Sequence, residues 1–270
     1  MSIEKMYSLS MITELLPSTL LSLARIQNLC SKLKVKVTLL GTDKIEITGR
    51  ESHVFRAKAC ILEKVKEELE KSTPNTYPVE WQPQINNCEL VTLAVNSPEY
   101  TKVVTLISAT LKVKILRIER IQNKLLYEDY MKSKEKLIKR GISPNERELF
   151  HGTRTTPPVQ IYNGVEGWDM RFSNAGMWGQ GIYFAAKASY SNEYHYAPNK
   201  KSKQMFLASV LLGDCIEMKA DDTTKTFKLP PQKPSKGQFA IERYDSVCGI
   251  TLDCYVYTLY TNGYCYPSYL

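Results

Sequence analysis

Three short stretches dictate how this chain is interpreted: LFHGT at residues 149–153, GQGIYFA at residues 179–185 and SYSNEYHY at residues 189–196. They place a histidine before a glycine, an aromatic residue after a Gly-x-Gly turn, and a hydroxyl and aromatic cluster just beyond. Such a set suits an aromatic-walled slot for a flat polar ring, held by few convergent hydrogen bonds, as in most small-molecule sites. A Rossmann phosphate loop is not predicted, because no third glycine opens a helix after the Gly-x-Gly pair.

In this order and at this separation, the LFHGT and GQGIYFA motifs resemble the NAD-binding signature of the poly(ADP-ribose) polymerase family, in its mono-ADP-ribosylating branch. The flanking stretches IERIQN at 118–123 and YCYPSYL at 264–270 agree with it. The resemblance spans residues 77–270. It implies an ADP-ribosyltransferase catalytic domain of α+β class, with two packed, mostly antiparallel sheets and flanking helices, and it implies NAD as co-substrate without a metal.

The resemblance also implies which residues hold the donor. His151 would hydrogen-bond the adenosine-side ribose of NAD, with Thr153 close by, and Gly152 would bind the nicotinamide carboxamide through its backbone. A glycine-rich loop between the motifs would cover the donor. Within it, Arg171 is the candidate for contacting adenine or pyrophosphate, and a solvated arginine on a flexible loop is an equal alternative.

The nicotinamide ring would lie between two aromatic side chains. The resemblance makes Tyr183 one wall of this slot and gives the Ser191 hydroxyl a hydrogen bond to the carboxamide. Tyr196 lies five residues after Ser191, which is the spacing of the mono-transferases, and it is expected to stack on the opposite face. Tyr194 lies three residues after Ser191, which is the spacing of the polymerases, and it is the alternative.

The third catalytic position decides the type of transfer. The resemblance puts Val256 where polymerases carry a glutamate that activates the hydroxyl of the growing chain. Valine can neither bind a hydroxyl nor take a proton, and Asp253 lies three residues away, on the opposite face of the strand. The sequence therefore predicts transfer of one ADP-ribose unit to a protein acceptor. The alternative is a catalytically silent module of the same fold that binds or scaffolds; the retained His151 favours the enzyme.

Composition restricts the setting and the partners. The chain has 270 residues, a net charge of +8, seven cysteines without a C-x-x-C pair and three histidines, so neither a disulfide framework nor a zinc site is expected. No apolar run approaches the 18 or so residues of a membrane span, and residues 1–16 do not resemble a secretory signal. A cytoplasmic or nuclear location is expected. The acceptor and the oligomeric state are not specified by the sequence.

The stretch STPNTYP at 72–78 predicts a boundary between a first domain, 1–76, and the catalytic domain, 77–270. Residues 9–33 are expected to be helical, because leucines and isoleucines recur at three- and four-residue steps. A hairpin, turning at 41–43, and a helix over 51–72 are expected to follow.

This helix–hairpin–helix order resembles the latter part of a KH domain. A KH domain grips nucleic acid with a G-x-x-G loop between its first two helices. Here the first glycine, Gly41, already lies in the hairpin, and the Gly49-containing tetrad GRES lacks a second glycine. We therefore expect no specific nucleic-acid binding, and an interaction or scaffold role instead. The basic stretch 112–140 has few aromatics for base stacking and favours a solvated helix face.

Further elements are expected along the catalytic domain. Ser97, Pro98 and Glu99 predict a helix start. A helix is expected over 124–140, with Leu125, Tyr130, Met131 and Leu137 as its candidate buried side chains. Strands are predicted over 88–95, 114–120, 205–212, 240–247 and 255–260.

Overall fold

The computed structural model describes residues 11–17, 23–40, 44–72, 77–199, 201–234 and 242–270. The chain divides into two compact units, Met1–Ile85 and Asn86–Leu270. The predicted linker lies partly outside the described residues, and the domain limits at 76 and 77 stay a prediction. Within the described ranges, no helix is long and apolar enough to cross a membrane.

The first unit combines a small sheet with helices. Its described elements are β1 (Met11–Pro17), α1 (Leu23–Cys30), β2 (Lys36–Leu40), β3 (Lys44–Arg50) and α2 (Glu51–Ser72). Strand β3 lies between β1 and β2 and pairs antiparallel with both. The predicted hairpin and the helix over 51–72 are confirmed, while the turn predicted at 41–43 lies outside the described residues.

The helix predicted over residues 9–33 is wrong for its first part, because residues 11–17 form strand β1. Their backbone pairs with β3 along its whole length, from Met11 opposite Arg50 to Pro17 opposite Lys44. The leucine spacing that suggested a helix is a local signal, and pairing with a distant strand overrides it. The observed order is therefore strand–helix–hairpin–helix, and the KH-like resemblance stays a prediction.

The core of the first unit lies between its sheet and its helices. Burial alternates along β3, so that Ile45 and Ile47 point inward. Side chains of α2 at helical spacing, including Val54, Ala57 and Ile61, are buried with them. The side chain of Leu69, also predicted for this face, lies outside the described ones. Helix α1 adds Ile26 and Cys30 to the same cluster.

The second unit carries the predicted catalytic motifs. Its described strands and helices are β4 (Cys88–Thr92), α3 (Pro98–Ser108), β5 (Glu119–Asn123), α4 (Lys124–Lys139), β6 (Glu146–His151), α5 (Val159–Tyr162), β7 (Ala175–Gly176), β8 (Gly179–Gln180), β9 (Ile182–Ala185), α6 (Ala188–Asn192), β10 (Tyr196–Asn199), β11 (Ser202–Gln204), β12 (Phe206–Leu211), β13 (Cys215–Glu217), β14 (Ser246–Thr251), β15 (Cys254–Leu259) and β16 (Cys265–Tyr269). Short 3-10 turns occupy Met170–Phe172 and Thr224–Thr226.

Nine of these strands form one sheet in the order β13-β14-β15-β9-β6-β12-β16-β5-β4. Only β13 and β14 pair parallel among the described strands, so the predicted α+β class with mostly antiparallel strands is confirmed. The two predicted sheets are continuous here: the halves β13-β14-β15-β9 and β6-β12-β16-β5-β4 join at the pair Phe150 opposite Ala185. His151 follows Phe150 directly and therefore lies where the pairing of the two halves stops.

Two strand predictions are wrong at their boundaries. Residues 114–118 are not in a strand, and β5 begins only at Glu119. Strand β14 begins at Ser246, near the end of the predicted 240–247, whose first two residues lie outside the described ranges. In both cases, the alternation of apolar and polar residues is a weak signal. It predicts a strand, but a strand forms only where the backbone also pairs with a neighbouring strand.

The helix starts follow from their caps. The Ser97 hydroxyl accepts a hydrogen bond from the Tyr100 N–H at 3.1 Å, as predicted for α3. The Asn123 side chain accepts one from the Leu126 N–H at 3.1 Å and sets the rotation of α4. Tyr130 and Leu137 are buried as predicted, but Leu126 is buried in place of Leu125, which is 52% exposed. Met131 is half-buried.

Candidate active site

A cavity of about 790 Å³ lies beside the junction of β6 and β9 and is covered by residues 163–178, which we call the cleft loop. Seven of the eight predicted site residues line it: His151, Gly152, Thr153, Arg171, Tyr183, Ser191 and Val256. Tyr196 does not line it, and Tyr194 does. The motifs that are separated in sequence therefore meet in one cleft.

His151 ends β6 with its imidazole fixed in one tautomer. Its Nδ1 lies 2.6 Å from the carbonyl oxygen of Tyr183, and because a carbonyl oxygen only accepts, Nδ1 must carry the proton. Burial lowers the pKa of His151 to about 4. The ring is therefore neutral at physiological pH, and its Nε2 is a hydrogen-bond acceptor.

Gly152 lies where no side chain fits. A Cβ at this position would overlap the carbonyl oxygen of Tyr194 and would lie 2.6 Å from that of Ser191. The following turn is held against the same segment, because the Arg154 N–H donates to the Tyr194 carbonyl at 2.8 Å. The Thr153 hydroxyl donates to the Thr156 carbonyl at 2.6 Å. The stretch HGT is thus packed directly onto the end of α6.

Tyr183 presents a ring whose phenol is anchored at its far end. The hydroxyl donates to the Gly179 carbonyl at 2.6 Å and accepts from the Trp178 N–H at 3.0 Å. A Cβ on Gly176 would lie 2.6 Å from the phenol carbon of Tyr183, so the glycine permits this close approach. Burial raises the pKa of Tyr183, which keeps the phenol neutral. The ring is fixed before any ligand arrives.

The structure places Tyr194, and not the predicted Tyr196, on the cleft. Helix α6 ends at Asn192, and the Tyr194 N–H donates to the Ser191 carbonyl at 2.9 Å, which keeps Tyr194 beside Ser191. By Tyr196 the chain has entered β10 and pairs with Gln204. Tyr196 lines a separate cavity of about 200 Å³. The turn after α6 thus brings the nearer tyrosine to the cleft, and which of the two tyrosines stacks on the nicotinamide ring stays a prediction.

Val256 brings an apolar side chain to the cleft. It is buried in β15 and pairs with Ala185 on β9 and Gly249 on β14. Asp253 lies in the preceding turn, is 97% exposed and binds Lys187 at 2.6 Å. It does not line the cleft, as predicted, but the reason differs: Asp253 lies in a turn before β15 and not on the opposite face of the strand.

The carboxylates that do line the cleft belong to its loop. Glu166 accepts a hydrogen bond from Asn262 at 3.0 Å. Asp169 is bound in a forked manner by Arg171, with Nε at 2.9 Å from both carboxylate oxygens and a terminal nitrogen at 2.5 Å from one. The Arg171 side chain is 74% exposed. Its charge is therefore partly neutralised, and its contact with the donor stays a prediction.

Among the cleft residues that sequence reasoning missed, two contact the predicted site residues directly. The guanidinium of Arg154 lies 4.3 Å from the centre of the Tyr194 ring. Trp168, in the cleft loop, packs edge-to-face on His151 with ring centres 5.3 Å apart. The cleft loop has no periodicity that would mark Trp168 as buried. For Arg154, its place immediately after the HGT stretch is the only signal.

Comparison with known proteins agrees with this geometry. The poly(ADP-ribose) polymerase catalytic-domain family model matches residues 97–253. A probable poly(ADP-ribose) polymerase of Dictyostelium discoideum is 36% identical over 173 residues, which are 58% of this chain and 51% of that protein. Protein mono-ADP-ribosyltransferase PARP12 of Mus musculus is 32% identical over 203 residues, covering 73% of this chain and 27% of that protein.

Protein mono-ADP-ribosyltransferase PARP11 of Mus musculus is 31% identical over 204 residues, covering 67% of this chain and 59% of that protein. The chain thus spans from about a quarter to about three fifths of the length of these relatives. The family match covers more than half of the chain and includes the cleft residues from His151 to Ser191. The chain belongs to the poly(ADP-ribose) polymerase family, whose catalytic domain it carries.

Proposed function

We propose that this chain transfers a single ADP-ribose unit from NAD to a protein acceptor and releases nicotinamide. The observation that carries the proposal is one cleft lined by His151, Tyr183 and Val256. The first two side chains are fixed and neutral, as a binding site for an uncharged diol and a flat ring requires. The third supplies no group that could activate a sugar hydroxyl.

The polar groups of the cleft suit the donor. The unprotonated Nε2 of His151 can accept a hydrogen bond from a ribose hydroxyl. The backbone of Gly152, approachable because no side chain covers it, suits the carboxamide of nicotinamide, with the buried Ser191 beside it. Tyr183 and Tyr194 supply the two aromatic surfaces for the ring.

The reaction breaks the bond between the nicotinamide nitrogen and the ribose carbon. The bonding electrons leave with nicotinamide, which becomes neutral, and the sugar passes through an oxocarbenium-like state. A nucleophile of the acceptor then forms the new bond to the same carbon. The protein's contribution is to hold the donor in the reactive orientation, and an acceptor carboxylate needs no base because it is ionised at neutral pH.

Incubating the pure chain with labelled NAD and separating the proteins by mass tests the proposal. We expect discrete bands that carry one ADP-ribose per modified site, and loss of the label with neutral hydroxylamine where the acceptor is a carboxylate. Long ladders would refute the argument from Val256. No label on any acceptor would favour the silent module instead.

The Val256→Glu variant sharpens the same experiment. It restores the carboxylate of the polymerases at the cleft, but the acceptor groove must also fit an ADP-ribose chain. We therefore expect Val256→Glu to produce no ladders. Ladders from Val256→Glu alone would show that the groove already accepts a chain and that valine is the single barrier to elongation.

A further inference from the structure

The imidazole of His151 is enclosed by aromatic rings. Trp168 meets it edge-to-face, with ring centres 5.3 Å apart and planes at 79°. Phe184 lies at 5.3 Å with a tilt of 47°. With Nδ1 bound to the Tyr183 carbonyl, the ring has one anchored edge and two aromatic neighbours, and the rest of it faces the cleft. Its orientation therefore depends on how those two neighbours pack.

Trp168 is itself held by the core. It is only 5% exposed and packs edge-to-face on Phe184 at 5.1 Å and on Phe206 at 5.3 Å. Phe206 pairs with His151 across β12 and β6. The indole N–H has no hydrogen-bond partner among the described residues. Trp168 therefore acts on its neighbours through the shape and volume of its ring.

No charged side chain sets the state of this histidine. Its lowered pKa has burial as its largest cause, opposed by the hydrogen bond to the Tyr183 carbonyl. The ionisable groups on the surrounding elements have other partners: Glu146 has Tyr130 and Lys134, Glu148 has Lys102, Arg147 has Tyr257, Glu166 has Asn262, Asp169 has Arg171 and the Tyr183 phenol has Gly179. In the turn after His151, the Arg154 guanidinium lies over the Tyr194 ring. Strand β12 carries no ionisable side chain.

We propose that Trp168 is a positioning residue, which holds the His151 imidazole in its donor-binding orientation and keeps water away from it. The proposal rests on the proposed role of His151 as a ribose ligand. Removing the ring would open the histidine to solvent without touching the Nδ1 hydrogen bond directly. The imidazole would then protonate in the range of an unperturbed histidine, about pH 6.5, and Nε2 would cease to be an acceptor.

The experiment that tests this uses the full chain labelled with ¹⁵N in its histidines. The three histidines give few signals, and His151→Gln identifies the one of interest. Between pH 4 and 8 we expect His151 of the unmodified chain to stay neutral, with its proton on Nδ1, until below pH 5. Trp168→Ala should raise its titration midpoint by about two pH units, toward the 6.5 or so of an unperturbed histidine, whereas Trp168→Phe should keep it near the unmodified value.

Activity gives a second measurement. The kcat/KM for NAD of the unmodified chain should be flat between pH 8 and pH 6. For Trp168→Ala it should fall about fourfold over this range, because about three quarters of a histidine titrating near pH 6.5 is protonated at pH 6. The NMR titration decides on Trp168 even if the chain modifies no acceptor, so that the two proposals fail separately.

Trp178→Ala is the matched control, because it makes the same substitution at a second buried tryptophan. The Trp178 indole N–H binds the Met218 carbonyl, and the side chain belongs to another core cluster. Trp178→Ala should leave the His151 titration unchanged. The proposal is overturned if a folded Trp168→Ala keeps the titration and tautomer of the unmodified chain, or if Trp178→Ala shifts them equally. Should Trp168→Ala not fold, Trp168→Leu removes the ring with less loss of volume and is judged by the same criteria.

Discussion

The two walls of the cleft are built differently. The strand wall, formed by His151, Tyr183 and Val256, is fixed by backbone pairing and by hydrogen bonds to carbonyl groups. The cleft loop opposes it with a local ion pair, Asp169 with Arg171, and with exposed side chains such as Phe172, which is 81% exposed. The strand wall is anchored in the sheet, whereas the exposed residues of the cleft loop, such as Arg171 and Phe172, are held only by local contacts or by none that is described.

The two walls should therefore contribute differently: the strand wall orients the donor, and the exposed loop residues only contact it. A preformed wall orients a reacting bond without being reorganised during the reaction, and this contribution to catalysis is large. An exposed loop residue must first leave its present partner and lose side-chain freedom before it binds, so its net contribution is small. We therefore expect substitutions in the strand wall to affect the transfer much more than substitutions at the exposed residues of the cleft loop.

His151→Ala should produce the largest loss. Removing the imidazole takes away the acceptor for the ribose hydroxyl and leaves space beside Trp168, so that the donor loses its orientation. We expect activity with NAD to fall about 100-fold, measured as kcat/KM. His195→Ala is the control, because His195 binds the Asn192 carbonyl and does not line the cleft. Equal losses in both variants would contradict the role of His151.

Acidification should lower the free energy of unfolding, because His151 is neutral in the folded chain. Its pKa is about 4 in the folded chain and about 6.5 in an unfolded one. Below pH 6.5 the unfolded chain therefore binds more protons, so the stability from a neutral His151 is complete above this pH and is lost as pH falls toward 4. At pH 5 we expect about 1–2 kcal/mol less stability relative to pH 7.

Urea unfolding of the unmodified chain and of His151→Gln at both pH values measures this loss. Carboxylates titrate in both proteins, so the difference between them isolates the histidine. His151→Gln should lose less stability on acidification. An identical loss in the two proteins would mean that His151 is solvated in the folded chain.

Removing the tyrosine that stacks on the ring should weaken ligand binding moderately. A nicotinamide mimic such as benzamide should bind between Tyr183 and Tyr194. An aromatic pair contributes about 1 kcal/mol beyond the area that it buries, so Tyr194→Ala should weaken benzamide binding about fivefold to tenfold, measured by calorimetry. Tyr196→Ala should leave the affinity unchanged. The reverse result would restore the five-residue spacing and place Tyr196 in the slot when a ligand is bound.

The sequence predicts the strand wall well, because each of its motifs is contiguous and its chemistry depends on residue type. His151, Gly152 and Tyr183 meet in the cleft as predicted, and Val256 is found by counting along a strand. Tyr194 lies on the cleft, in place of Tyr196, because of the turn after α6, whose backbone hydrogen bonds include those from Tyr194 to Ser191 and from Arg154 to Tyr194. Residue spacing alone cannot distinguish these two outcomes.

Contacts between distant segments are the part that sequence reasoning misses. Trp168 is buried by rings from β6, β9 and β12, while its own loop shows no period. The leucine spacing predicts a helix where strand β1 lies, because the partner that makes it a strand, β3, is about thirty residues away. In both cases the local pattern is ambiguous, and tertiary packing decides.

The smallest change in NAD affinity should come from the exposed ion pair of the cleft loop, Asp169 with Arg171. Arg171→Ala should weaken NAD binding about twofold to threefold at low salt, because an exposed cation contributes less than about 1 kcal/mol. Asp169→Asn should do the opposite: it keeps an oxygen that can accept from the Arg171 N–H but releases the guanidinium for the donor's phosphates. Benzamide, which lacks phosphates, should bind both variants like the unmodified chain. Both effects should shrink at high salt, where exposed charges are screened. If neither variant changes NAD affinity at low salt, Arg171 is a solvated arginine and the loop covers the donor without binding its charge.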